Sequence, residues 1–285
     1  MRGAFDLFLN TSFVRISSSV SDDCSIEVPE ELNLIPDTMV IIAYTMLAIN
    51  MTVIFSCAIW LYFQRNSSQV RVSQPFFLCL VLVGCLISSS TIIVLAEEDE
   101  GDGPVHACMA IPWLYSIGFS VTFGTLFAKI RRVYKIFLNA ANARGGGDTR
   151  NNIISVQETL AVIGAVLIVD IIILLVWTIV DPLQWERTVI SADQFGEPLE
   201  SQGMCVSDHW SAFGGAIAAL HLILMAVACY LCYVSRGIPT RFSEGKYLSI
   251  AMISNLQIFI VGIPILVVVG GDPQTSFFVR VTIIW

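Results

Sequence analysis

Charged residues are scarce in this sequence. Asp, Glu, Lys and Arg make up 13% of its 285 residues, about half the roughly 25% of an average soluble domain. Those present cluster in short islands between long uncharged runs, which excludes one large or two ordinary soluble domains. Histidine is rarer still, and His106, His209 and His221 are scattered. No H-E-x-x-H, G-x-x-x-x-G-K-[ST], G-x-S-x-G or paired C-x-x-C motif occurs, and no nucleophile–base pair is suggested. The chain therefore reads as a non-enzyme, with no catalytic residue, no metal site and no cofactor. A basic surplus is lacking too: the net charge of −8 is no footprint for nucleic acid. Strict alternation of polar and apolar residues is absent, which argues against a β-barrel. The absence of internal repeats counts against many transporter folds.

What the sequence does have is long apolar runs. Six are free of Lys, Arg and Glu: Thr38–Phe63, Val72–Ala96, Ala107–Ala128, Thr159–Val180 (with Asp170 inside it), Trp210–Ser235 and Tyr247–Gly271. Each exceeds the roughly 20 residues that cross a bilayer core as a helix. A last stretch, 273–285, contains Arg280 and is too short to cross. The reading is an all-α membrane protein: a seven-transmembrane-helix bundle over 36–285, its seventh helix incomplete, preceded by a short segment 1–35. The spans are set at about 38–63, 73–96, 107–128, 159–180, 210–235, 247–271 and, in part, 273–285. Met1 to Asn10 make a poor signal peptide, so either the first span serves as signal anchor or the true start lies upstream.

The loops segregate by charge. Eleven of the 15 basic residues fall on one side and 19 of the 23 acids on the other. The positive-inside rule then makes the basic loops cytoplasmic and the N-terminus extracellular. Of three Asn-x-Ser/Thr sequons, Asn50 lies inside a span and Asn66 on the cytoplasmic side, leaving Asn10 as the glycan site. Five of the eight cysteines sit in apolar runs as thiols. Cys108 and Cys205 both face the oxidising side, where a disulfide is allowed and two free thiols are the alternative.

Several polar residues stand out. Asp170, near mid-depth, is a functional candidate by position, but an acid that packs helices together is the favoured reading. His221 reads as a packed, hydrogen-bonded group, and Asn255 and Gln257 as hydrogen-bonding glue between helices. The third span ends in a basic block, Lys129 to Phe137, for which snorkelling to the headgroups accounts in large part. Lys129 differs, because it directly follows the apolar run. Glu244 is the single acid of the cytoplasmic stretch before the sixth span. A Lys129–Glu244 pair would tie the third helix to the sixth and bias a closed state.

Taken in order, certain blocks resemble the transmembrane domain of class C G-protein-coupled receptors, in the branch of metabotropic GABA type B receptors. They are Arg65-Asn66, Ser73-Gln-Pro75, Cys108 with Trp113, and Phe123-Gly124-x-x-Phe127-Ala-Lys129-x-x-Arg132-Val. Then follow Asp170, Trp177, Val180-Asp-Pro-Leu183, Cys205, Glu244 with Lys246-Tyr247, and Asp272-Pro273. The Phe-Gly and Trp…Val-Asp-Pro-Leu blocks are fairly specific together, and the likeness covers about residues 36–285. It implies a Cys108–Cys205 disulfide and an ionic lock between Lys129 and Glu244, with Glu in place of the family's Asp. It also implies a shared structural role for Asp170, and a homodimer or a heterodimer with another class C subunit. A plasma-membrane receptor would meet a heterotrimeric G protein through Arg131, Arg132, Lys135, Arg236, Arg241 and Lys246, with lipid around it.

The departures from the family are also informative. The bilobed sensor that precedes such domains is not in the sequence, nor are the Pro-Lys end of the seventh helix and the cytoplasmic tail. The chain reads as a gene fragment or as a receptor without its sensor, and no ligand follows. Arg280 stands where an apolar residue is usual. Two alternatives are a retinal-binding seven-helix protein, which needs a lysine deep in its last helix, and a transporter or channel, which usually shows several ionisable residues at mid-membrane.

Overall fold

The computed structural model describes residues 31–67, 75–97, 105–144, 156–194, 198–235 and 244–285. Seven helices follow one another: α1 (Asp37–Gln64), α2 (Pro75–Leu95), α3 (Val105–Arg144), α4 (Val156–Val180), α5 (Trp210–Ser235), α6 (Glu244–Val268) and α7 (Pro273–Ile284). Six are long and apolar enough to cross a membrane. In lipid every backbone amide needs an internal partner, so uninterrupted apolar runs fold as helices. The exposed faces are oily: Ile41, Ile49, Val53 and Phe55 on α1, and Ile253, Ile260 and Val261 on α6, are half or more exposed. Such faces suit acyl chains, not water.

α3 is the central helix. In its span 44% of residues are buried, against 17% in α1 and α6. α2 lies closest to it, through a stripe of small residues. A Cβ on Gly84 would lie 2.7 Å from the Thr122 amide nitrogen, and one on Gly118 would lie 2.7 Å from the Ser88 Cα. Gly84 with Ser88, and Gly118 with Thr122, are each four residues apart, so each pair shares a helix face. Asn50 of α1 adds a polar clasp by donating to Ser89 Oγ of α2 at 2.7 Å. α7 closes the ring by packing Phe277 and Val281 onto Ala43, Leu47, Ile92 and Leu95.

The all-α expectation needs one addition. The segment between α4 and α5 forms an antiparallel hairpin, β1 (Gln184–Ala192) with β2 (Pro198–Val206). Its β-branched run Thr188-Val189-Ile190 favours extended chain, and Trp185 pairs with Cys205. The chain before α1 joins it: Glu31 N–H donates to Leu199 O, and Ser201 N–H donates to Glu31 O. This hairpin lies at the same end as Cys108 and the first turn of α7, here termed the hairpin end; Lys129 and the start of α6 lie at the opposite, basic end.

The α2–α3 contact leaves no room for a side chain. Gly118→Val should lower the stability of the purified protein by about 1–3 kcal/mol, as overpacking does. A melting temperature in detergent equal to that of the wild type would refute such a close approach.

Candidate functional site

At the hairpin end, Cys108 of α3 and Cys205 of β2 form a disulfide with Cα atoms 5.5 Å apart. It ties the loop to the bundle beside a second clasp built on Asp181, the residue that follows α4. The Ser207 hydroxyl and the His209 backbone N–H both donate to Asp181 Oδ2 at 2.7 Å. The His209 ring nitrogen stands 3.2 Å from the same oxygen. These donors, Ser207 first, hold the Asp181 carboxyl below its ordinary range. Two tryptophans seat the clasp: Trp177 stacks on Phe213 and donates to Ser207 Oγ at 3.4 Å, while Trp113 donates to Thr178 Oγ1 at 3.0 Å.

At mid-depth lies a fully buried polar centre. Ser116 and Ser120 are four residues apart on α3, so both hydroxyls leave one face. They donate to Asp170 Oδ2 of α4 at 2.6 and 2.7 Å. His221 of α5 places Nε2 3.6 Å from Asp170 Oδ1, both side chains having no exposure. That separation is an electrostatic contact longer than a hydrogen bond. The imidazole lies 4.1 Å from the Phe119 ring, centroid to centroid, and Phe119 in turn meets Phe123 and Phe259 of α6. One acid, two hydroxyls, an imidazole and a column of aromatic rings thus join α3, α4, α5 and α6.

At the basic end, Lys129 lines a cavity of about 380 Å³ with Phe77 and Val81 of α2, Thr125 of α3 and Tyr247 and Leu248 of α6. Glu244 is the first residue of α6. Arg131 is half-buried on α3, which continues far beyond its apolar span. Asn10, Arg236 and Arg241 lie outside the described residues, as do the side chains of Arg132, Lys135, Glu244 and Lys246.

Of the residues singled out in the sequence, the structure joins Cys108 to Cys205 and sets His221 beside Asp170, a pairing that the sequence reading did not make. Asn255 and Gln257 need correction. Both are exposed, and Asn255 donates to Ala251 O of its own helix at 2.9 Å rather than to a neighbour. An amide that faces lipid satisfies itself on the carbonyl one turn back, and needs no second helix. Ser116, Ser120 and Asp181 with Ser207 were missed as partners. The four-residue spacing of the serines was the available signal; the link from Asp181 to Ser207 crosses the hairpin and leaves no local trace. Among the described residues no group of three or more His, Cys, Asp or Glu side chains could hold a metal.

Comparison with known proteins adds a family. The one described as "7 transmembrane sweet-taste receptor of 3 GCPR" matches residues 34–285. Gamma-aminobutyric acid type B receptor subunit 2 of Rattus norvegicus is 24% identical over 229 residues, which is 77% of this chain and 24% of that protein. The metabotropic glycine receptor of Rattus norvegicus is 28% identical over 213 residues, 74% of this chain and 17% of that protein. Metabotropic glutamate receptor-like protein E of Dictyostelium discoideum is 25% identical over 206 residues, 71% of this chain and 23% of that protein. The chain spans a quarter or less of the length of these curated relatives.

Two measurements probe the geometry. Asp170→Ala strands the buried Ser116 and Ser120 hydroxyls, which should destabilise by about 1–3 kcal/mol for each. Combined with His221→Ala it should be non-additive by about 0.5–3 kcal/mol in thermal unfolding; strict additivity would deny the coupling. Asp181, with its lowered folded value, stabilises fully above the unfolded carboxyl's value near about 3.9 and loses that contribution as pH falls through the folded one. The melting temperature should therefore fall more steeply below about pH 4 in the wild type than in Asp181→Asn. Parallel profiles would remove Asp181 as an anchor.

Proposed function

Because the chain belongs to the seven-transmembrane family of class C G-protein-coupled receptors, we propose that it is the transducing domain of a GABA type B-like signalling receptor. In this reading it is a multi-pass protein of the plasma membrane, with the hairpin end outside the cell and the basic end in the cytosol. The signal crosses as a rearrangement of α3 against α6, and a heterotrimeric G protein reads it at the basic end. The charge segregation supports the orientation, since basic loops are retained on the cytoplasmic side.

The observation that carries the mechanism is the cavity that Lys129 shares with Tyr247 and Leu248. It brings the inner end of the α3 span to the first turns of α6. Glu244 stands three and four residues before Tyr247 and Leu248, a spacing that shares a helix face. A Lys129–Glu244 pair there would hold α3 to α6 in the silent state. At a partly dry interface such a pair outweighs an exposed one, which is worth about 0–1 kcal/mol. Arg131, Arg132 and Lys135 on α3, with Arg236, Arg241 and Lys246 before and within α6, would supply the cationic face for the G protein. Lipid-facing apolar surface on α1 and α6 suits a second copy or another class C subunit. Asn10 is the glycan acceptor of this topology.

Lys129→Ala and Glu244→Ala should each raise basal G-protein signalling in a full-length receptor, and the charge-swapped double variant should regain part of the silence. Unchanged basal output in both single variants would overturn the lock. A tag at residue 1 that stains only permeabilised cells would overturn the orientation.

A further inference from the structure

Sulfur collects where α5 and α6 meet toward the basic end. Cys229 and Cys232 stand three residues apart on α5, and Met252 lies on α6. Cys232 and Met252 are buried and Cys229 is half-buried, and all three belong to one cluster with Ala228 of α5 and Ile130 of α3. A direct contact sets the level of the two helices: the Ser249 hydroxyl of α6 hydrogen-bonds the Cys232 sulfur. α5 starts at the hairpin end and α6 at the basic end, so the two run antiparallel. Three residues on from Ser249 is Met252, and three residues back from Cys232 is Cys229. Equal steps in opposite directions reach the same level, so Met252 stands across from Cys229. The two thiols also lie within electrostatic reach of each other.

Both cysteines are thiols rather than disulfide partners, and helix geometry keeps them so. Cβ atoms three residues apart on a helix are separated by about 5–6 Å, whereas a disulfide needs about 3.5–4.5 Å. One atom between the sulfurs relieves that mismatch, since two metal–thiolate bonds of about 2.3 Å span the gap. Among the described residues no further His, Cys, Asp or Glu joins the two cysteines in a metal-holding group. The remaining donor is the Met252 thioether, and the set is therefore entirely soft. Soft thiolates and thioethers select Cu(I), which forms complexes of low coordination number. Zn(II) would require a fuller tetrahedron with nitrogen, oxygen or further thiolate ligands.

We propose that Cys229, Cys232 and Met252 bind a single Cu(I) ion that bridges α5 to α6. On binding, two sulfur–copper bonds replace two S–H bonds, and two protons leave to the medium. The thioether adds a neutral third bond, copper stays Cu(I), and no electron is transferred. The resulting complex carries a net negative charge. Ile130 of the same cluster lies between Lys129 and Arg131 in sequence, so α3 brings cations to this level that offset it. Cys229, the half-buried ligand, is the point of entry. The inference goes beyond receptor signalling and does not depend on it, because its test reads metal binding alone. The competing account is that both cysteines are inert small hydrophobes of the core.

The purified chain in phosphatidylcholine nanodiscs would be titrated anaerobically, with ascorbate, against the coloured Cu(I) complex of bicinchoninate. The wild type should withdraw one equivalent of Cu(I), and its melting temperature should rise by a few degrees, as ligand linkage requires. Cys229→Ser and Cys232→Ser should each weaken binding by about a hundredfold or more, and Met252→Leu by about tenfold, since each removes one soft donor. The double variant Cys57→Ser/Cys79→Ser, which removes two exposed thiols of α1 and α2, should bind as the wild type does. X-ray absorption at the copper edge should show sulfur neighbours alone. Met252→Leu conserves volume and keeps the core packed, so its loss of affinity reads ligation rather than misfolding. Failure of the wild type to withdraw Cu(I), nitrogen or oxygen neighbours around the copper, or wild-type affinity in Met252→Leu or either single cysteine variant overturns the proposal and leaves the inert core as the account.

Discussion

A polar group carried into the interior of this bundle has no water to fall back on, and α3 carries several. Ser116 and Ser120 settle on one oxygen of Asp170, so the central helix and α4 are held by hydrogen bonds in a low-dielectric setting. Such bonds are worth about 0.5–1.5 kcal/mol each. They also have direction, which apolar packing in lipid lacks: without a solvent-driven force between helices, hydrogen bonds and close backbone approach set which faces meet. Because Phe119 sits between the two serines in sequence, orienting them also orients its ring against His221. One buried acid thereby influences the register of α3 against α4 and α5, and through Phe259 against α6.

The two ends of the bundle are built differently. The hairpin end is fastened by a covalent bond, a carboxylate clasp and two anchored tryptophans. At the basic end the described residues surround a cavity of about 380 Å³ lined by Lys129.

Much of this was legible in the sequence, for reasons that differ by residue. The spans were readable because length and apolarity are local properties, and every run longer than about 20 residues became a helix. Cys108 and Cys205 were readable as a candidate pair by compartment, and Asp170 and His221 by the rarity of such groups at depth. The hairpin was not, because the polar–apolar alternation of its two strands is weak beside the long apolar runs of the helices. Gly84 and Gly118 were passed over since a glycine inside an apolar run shows nothing until the opposing helix is known. Asn255 and Gln257 misled because polarity in a span says only that a partner is needed, and a carbonyl one turn back is already within reach.

α3 is a helix of 40 residues, or about 60 Å along its axis. Cys108 fastens it close to one extremity, while its last third extends past the apolar span. A rod pivoted near one end amplifies angle into distance. A tilt of about 5° at the disulfide would swing the far tip by about 5 Å, comparable to one helical turn. Motion too slight to disturb the packing around Asp170 can therefore be large where the helix ends.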